Sequence, residues 1–125
     1  MKVIFIKPNM GRMIDGPYID TGRMEPLQIG VLAGLTPDDV EIAFYDDRME
    51  EIPFDEPADL VAITVETFTA RRSYEICRKF QARGIPVVMG GMHPTLAPDE
   101  VAKVADSIFL GDAETTWPQV IEDAR

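Results

Sequence analysis

Short apolar runs of strand length alternate along this chain with stretches whose apolar positions recur at helical spacing, the pattern of stacked βαβ units. Val3-Ile4-Phe5-Ile6 reads as a first strand, stopped by Pro8. The loop from Asn9 to Glu25 carries Gly11, Gly16, Pro17 and Gly22, and it exceeds the roughly two to six residues usual between a strand and a helix. Pro26 suits the first turn of a helix whose buried face would be Leu27, Ile29, Val31, Leu32 and Leu35, ended by Thr36-Pro37. Val40 to Tyr45 forms the second strand, with Val40, Ile42 and Phe44 on one face. The acidic stretch from Asp46 to Glu56 shows no helical periodicity. Leu60 to Val65 is nearly all apolar, as a central parallel strand covered on both faces must be.

Tyr74, Ile76, Cys77 and Phe80 lie among Arg71, Arg72, Arg78 and Lys79 in an amphipathic helix capped by Gly84. Pro86 to Met89 is the fourth strand and Ser107 to Leu110 the fifth. Between them Pro98-Asp99-Glu100 begins a helix, its acidic residues at the positive end of the dipole. Gly111 leads into a last helix through Trp117, Val120 and Ile121, with Trp117 read as core. Five strands with helical crossovers predict an α/β fold, a flavodoxin-like or Rossmann-like doubly wound parallel sheet with helices on both faces. Right-handed crossovers make 2-1-3-4-5 the simplest order.

At 125 residues the chain fits a single domain with a real core. Its one cysteine, Cys77, leaves no intrachain disulfide, which with no signal sequence points to a reducing, cytoplasmic compartment. The net charge of −10, with no basic run beyond Arg71-Arg72, argues against a nucleic-acid or anionic-membrane partner.

In this topology ligands bind at the carboxyl ends of the strands, here Pro8 to Arg23, Asp46 to Met49, Thr64 to Thr69, Gly90 to Thr95 and Gly111 to Glu114. Gly90-Gly91 either lets a bulky group approach closely or makes a tight turn. Thr64, Val65, Glu66 and Thr67 follow the central strand; Glu66 is the candidate orienting acceptor, while Thr67 or Thr69 suits the cap of the next helix. His93, the only histidine, is read as a polar contact to ligand or loop, since one histidine alone is poor grounds for a metal site. Asp46-Asp47 reads as part of a solvated turn, and Asp112 and Glu114 are explained by the helix dipole. Met10, Met13, Met24, Met49, Met89 and Met92 suit a large apolar macrocycle and core gap-filling equally. No catalytic constellation and no metal-ligand set stands out.

These motifs resemble the amino-terminal cobalamin-binding domain of cobalamin-dependent radical SAM enzymes. Glu25-Pro26-Leu27-Gln28-Ile29-Gly30 is similar to that family's P-L-G helix start, and Ala58 to Thr64 to its D-x-V-G-x-S strand. Gly90-Gly91-Met92-His93-Pro94-Thr95 is similar to its G-G-x-H-x-T turn, and Gly111-Asp112-Ala113-Glu114-Thr115 to its G-E-G-E-T turn. The resemblance implies a cofactor site of Thr64, Val65, Glu66, Thr67, Gly90, Gly91, Met92, His93, Gly111 and Glu114. Thr64 stands at the serine of the S-x-L motif and Glu66 at its leucine, a departure. The D-x-H-x-x-G motif of the wider family has no counterpart, because Asn9 to Gly16 lacks histidine. The resemblance therefore implies base-off cobalamin held without a protein histidine on cobalt. Its nucleotide tail would pack against the strand ends and its corrin would face the next domain.

The C-x-x-x-C-x-x-C cluster motif is absent. S-adenosylmethionine and a 4Fe–4S cluster are thus expected only in a downstream radical SAM domain of a longer protein, with this chain as a methyl carrier that is not itself catalytic; a stand-alone carrier is the other arrangement. A phospho-acceptor receiver would need acids where Lys7-Pro8-Asn9 stand, and a flavodoxin a hydroxyl-rich first loop. The alternative of another class is a non-catalytic flavodoxin-like interaction domain that has lost its ligand.

Overall fold

Residues 1–10 and 24–125 are described by the computed structural model, and they form one sheet in the order β2-β1-β3-β4-β5 with every neighbouring pair parallel. β1 spans Lys2–Lys7, β2 Glu41–Asp46, β3 Leu60–Thr64, β4 Val87–Gly90 and β5 Ser107–Ile108. The expected strand order is therefore the observed one. Most of the long loop expected after the first strand, with Gly11, Met13, Gly16, Pro17 and Gly22, lies outside the described residues.

The two-residue period of the strands divides the core into two layers. Ile4, Ile6, Val61, Ile63, Val87 and Met89 face α2 (Ala70–Gln81) and α4 (Pro98–Val101), which bring Ile76, Cys77, Phe80 and Val101 to that side. On the other face Val3, Phe5, Leu60, Ala62 and Val88 meet α1 (Leu27–Leu35) and α5 (Trp117–Asp123). A further single turn, α3 (Met92–Leu96), follows β4 at the carboxyl edge. Burial of both faces explains why β1 and β3 read as unbroken apolar runs.

Two elements depart from expectation. β5 is shorter than its apolar run: Phe109 still donates to the Met89 carbonyl at 2.9 Å, but Leu110 is exposed and Gly111, at φ 74°, turns the chain away. In α1 the expected buried face is only partly buried. Ile29 is buried and Leu32 and Ala33 pack against the core, whereas Leu27, Val31 and Leu35 are 73%, 45% and 43% exposed. The reason is compositional. With Gln28 as its only polar residue, α1 has no polar face by which periodicity could select the buried one.

Candidate ligand slot at the carboxyl edge

The layer under α1 and α5 does not close at the carboxyl end of the sheet. It leaves a slot of about 480 Å³, within the range of small-molecule sites. Small residues on neighbouring strands, Ala62 and Gly90, leave the room, because the larger Phe5 and Val88 beside them already fill the lower layer. Phe5, Phe109 and Trp117 wall the slot, with ring centroids 5.3 Å apart for Phe5–Trp117 and 6.1 Å for Phe109–Trp117. The Trp117 Nε1–H donates to Thr36 Oγ1 at 2.9 Å, so the indole is both buried core, as expected, and slot wall. Polar groups lie at the mouth: Gln28, Thr64, Glu66, Thr95, Asp112 and Glu114. Gln28 Nε2 donates to Thr64 Oγ1 at 3.0 Å, tying α1 to the end of β3.

The paired glycines have separate jobs. Gly91 sits at φ 111°, and a Cβ there would lie 2.9 Å from the Val65 carbonyl oxygen; the close approach of the loops after β3 and β4 requires it. Val65 N–H donates to the Gly90 carbonyl at 2.7 Å and His93 N–H to the Val65 carbonyl at 3.0 Å, which fastens that approach. Gly90 faces the slot, where a Cβ would lie 3.4 Å from the Phe109 side chain. Thr95 then joins the two glycine turns, since its Oγ1 donates to the Gly91 carbonyl at 3.0 Å and accepts from Gly111 N–H at 2.9 Å.

Of the site residues expected from sequence, Thr64, Glu66, Gly90, Gly91, Met92, Gly111 and Glu114 line the slot, and Val65, Thr67 and His93 do not. Val65 points into the opposite core layer. His93 makes its polar contacts to the loop after β3 and to α4. Its ring is buried away from the slot, with Nδ1 3.2 Å from Thr67 Oγ1 and Nε2 3.2 Å from Glu100 Oε1. Tyr74 donates to the same Glu100 oxygen at 2.7 Å. Hydrogen bonds from Tyr74 and then His93 hold the Glu100 carboxyl below its ordinary pKa. Thr67 is thereby a partner of His93. Thr69 stands at the N-cap of α2 without a side-chain cap bond there. It instead completes a capping box with Glu66, the N-cap residue of the 3-10 turn Thr67–Thr69, and the Glu66 N–H donates to Thr69 Oγ1 at 3.1 Å.

Glu66, expected as an acceptor for a ligand, takes Lys7 Nζ on its Oε1 at 2.5 Å. Lys7 and Gln28, with the slot walls Phe5, Phe109 and Trp117, are residues that sequence reasoning did not place at a site. A lysine closing β1 acquires meaning only once the register sets Ile6 against Ile63 and so brings the ends of β1 and β3 together. Asp46 and Asp47 are buried, which corrects the solvated-turn reading. Arg72 grips Asp47 with two bonds of 2.9 Å, and Arg48 bonds Asp46 at 2.7 Å. Burial alone would raise the Asp46 pKa, yet the Arg48 hydrogen bonds outweigh it and the net direction is down. Among the described residues no three His, Cys, Asp or Glu side chains converge on a metal position, and no helix is long and apolar enough to cross a membrane.

The profile of a family described as B12 binding domain matches residues 21–121. Over 108 residues the chain is 38% identical to a bacteriochlorophyllide d C-8(2)-methyltransferase of Chlorobaculum tepidum, covering 83% of this chain and 24% of that protein. It is 33% identical over 108 residues to the bacteriochlorophyllide d C-12(1)-methyltransferase of the same organism, covering 84% of this chain and again 24% of the relative. The chain thus spans about a quarter of the length of these curated relatives. No solved structure matches it.

Proposed function

The chain belongs to the B12-binding domain family, and on that premise we propose that the slot between α1 and α5 receives the nucleotide tail of a base-off cobalamin. The observation that carries this reading is the slot itself. A flat aromatic base joined to a polar sugar–phosphate fits a cavity with an Ala62–Gly90 floor, aromatic walls and polar groups only at its mouth. The base-off part follows from that placement, since a tail seated in the slot cannot also ligate cobalt. The reading that no protein histidine replaces it rests on the histidine inventory. His93 is the only histidine of the chain, and both its ring nitrogens are engaged away from the slot.

Bound cobalamin would supply a cobalt able to carry a methyl group. The chain's own residues bind and orient: Phe5, Phe109 and Trp117 exclude water from the tail, while Thr64, Thr95 and the glycine turns set the mouth. We place the chemistry in a downstream radical SAM domain that binds S-adenosylmethionine and a 4Fe–4S cluster. That part rests on the resemblance of the sequence motifs, and the names of the two relatives favour methyl transfer.

The test is retention of hydroxocobalamin after desalting, read by the ultraviolet–visible spectrum. The wild-type chain should keep corrin absorbance of base-off form and gain stability, by about 2.7 kcal/mol at a hundredfold excess over the dissociation constant. Ala62→Phe should fill the slot and abolish retention, with Tm measured alongside because Ala62 belongs to the buried layer. His93→Gln should retain the corrin. Equal retention by Ala62→Phe would sink the slot assignment, and no retention by the wild-type chain would sink the reading for the chain alone.

A further inference from the structure

We propose that the outward face of α1 seats an α-helix from the protein's continuation beyond Arg125; this rests on the reading above that a catalytic domain follows. Leu27, Val31 and Leu35 recur every four residues, so they form one stripe on the side of α1 opposite Ile29. Gly30 and Gly34 flank that stripe, and a Cβ built on either meets nothing within 4 Å. Two glycines one turn apart beside an apolar stripe let the backbone of another helix come close. An apolar helix surface with no polar side belongs under another element, and none of the described residues covers this one.

The fold itself indicates the occupant. Arg125 Nη2 holds Asp39 at 3.0 and 2.8 Å, just before β2 begins, so the last residue of the chain sits at the amino edge of the sheet beside the end of α1. The slot mouth lies at the opposite edge, where Gln28 meets Thr64. A segment that leaves Arg125 and contributes to chemistry at that mouth must cross the height of the domain, about 14 Å for the nine residues of α1. The other long flanks are charged: α2 exposes Arg71, Glu75 and Arg78, and α5 exposes Glu122 and Asp123. The α1 stripe, together with Ile42 and Phe44 exposed on the edge strand β2, makes the apolar path between the two edges. A second copy is a poorer occupant, because each chain carries a net charge of −10 and would repel its like.

The experiment is thiol labelling of Val31→Cys without cobalamin, in the 125-residue chain and in the protein extended beyond Arg125. Labelling is read peptide by peptide by mass spectrometry, because on that reading the extended protein carries further cysteines for its cluster. The native Cys77 is buried, and that burial pushes its pKa to about 11, so slow reaction at Cys77 reports that the sheet is folded in each sample. Labelling at position 31 should be at least tenfold slower in the extended protein, and Leu35→Glu in the extended protein should restore fast labelling. Equal rates in both proteins, or no effect of Leu35→Glu, would overturn the proposal. Slow labelling of the short chain that quickens on dilution would overturn it in favour of self-association. Cobalamin retention is measured separately on the same samples. Protection without retention counts against the ligand reading, and retention without protection against the helix seat.

Discussion

Gly91 and His93, two residues apart, show how differently neighbouring positions can be constrained. Gly91 answers to backbone: at φ 111° and with the Val65 carbonyl where its Cβ would go, any side chain is strained twice over. Gly91→Ala should therefore cost roughly 1–3 kcal/mol, measured by urea denaturation, and more than Gly84→Ala, where φ is 76° but the space is open. Equal costs would show that the Val65 contact relaxes freely. His93 answers to side chains, and its partners Thr67, Glu100 and Tyr74 come from three separate segments. The glycine pair was legible as a site in the sequence, but the division of labour between Gly90 and Gly91 was not, because it depends on which loop lies opposite each. The role of His93 was illegible for the same reason.

At the scale of elements, the carboxyl edge is held together by buried charge. Asp47, after β2, is fully buried; it takes both Arg72 bonds from α2, and its Oδ2 also accepts from Asn9 N–H at 3.2 Å. Asn9 Nδ2 donates to the Asp47 carbonyl at 2.9 Å, so the segments after β1 and β2 are clasped to α2. Asp47 in turn raises the Arg72 pKa, chiefly through the hydrogen bond. Asp47→Asn keeps the shape but leaves the Arg72 guanidinium only the more exposed Glu75 as counter-charge, and the expected loss is about 2 kcal/mol by chemical denaturation. A loss below about 1 kcal/mol would mean that solvent already screens the pair. These pairs bridge elements 25 or more residues apart, beyond the reach of any local pattern.

For the molecule as a whole, acid should be the weak direction. Hydrogen bonds from Lys2 and then Tyr45 hold Glu56 below its ordinary 4.5, and Arg48 holds Asp46 below 3.8. A carboxyl whose folded pKa is depressed contributes stability above its unfolded value, and that contribution is lost as pH falls through the folded one. The urea midpoint should therefore hold between pH 7 and about 5 and drop below about 4.5, with a shallower drop in Glu56→Gln. An unchanged slope in that variant would remove Glu56 from the account.

What the sequence by itself determined is the architecture. Unbroken apolar strands, amphipathic α2 and glycine turns after β4 and β5 are local patterns, and the handedness of crossovers turns them into one strand order. The same local patterns located the crevice, and seven of the ten residues that the family resemblance implied line it. Only the tertiary structure decided which way side chains of the edge loops point. It turned His93 toward α4, paired Lys7 with Glu66, buried Asp47 under Arg72 and left the stripe of α1 bare. The physical reason is that such choices are made by contacts between segments distant in sequence, where register, burial and charge act together and periodicity carries no information.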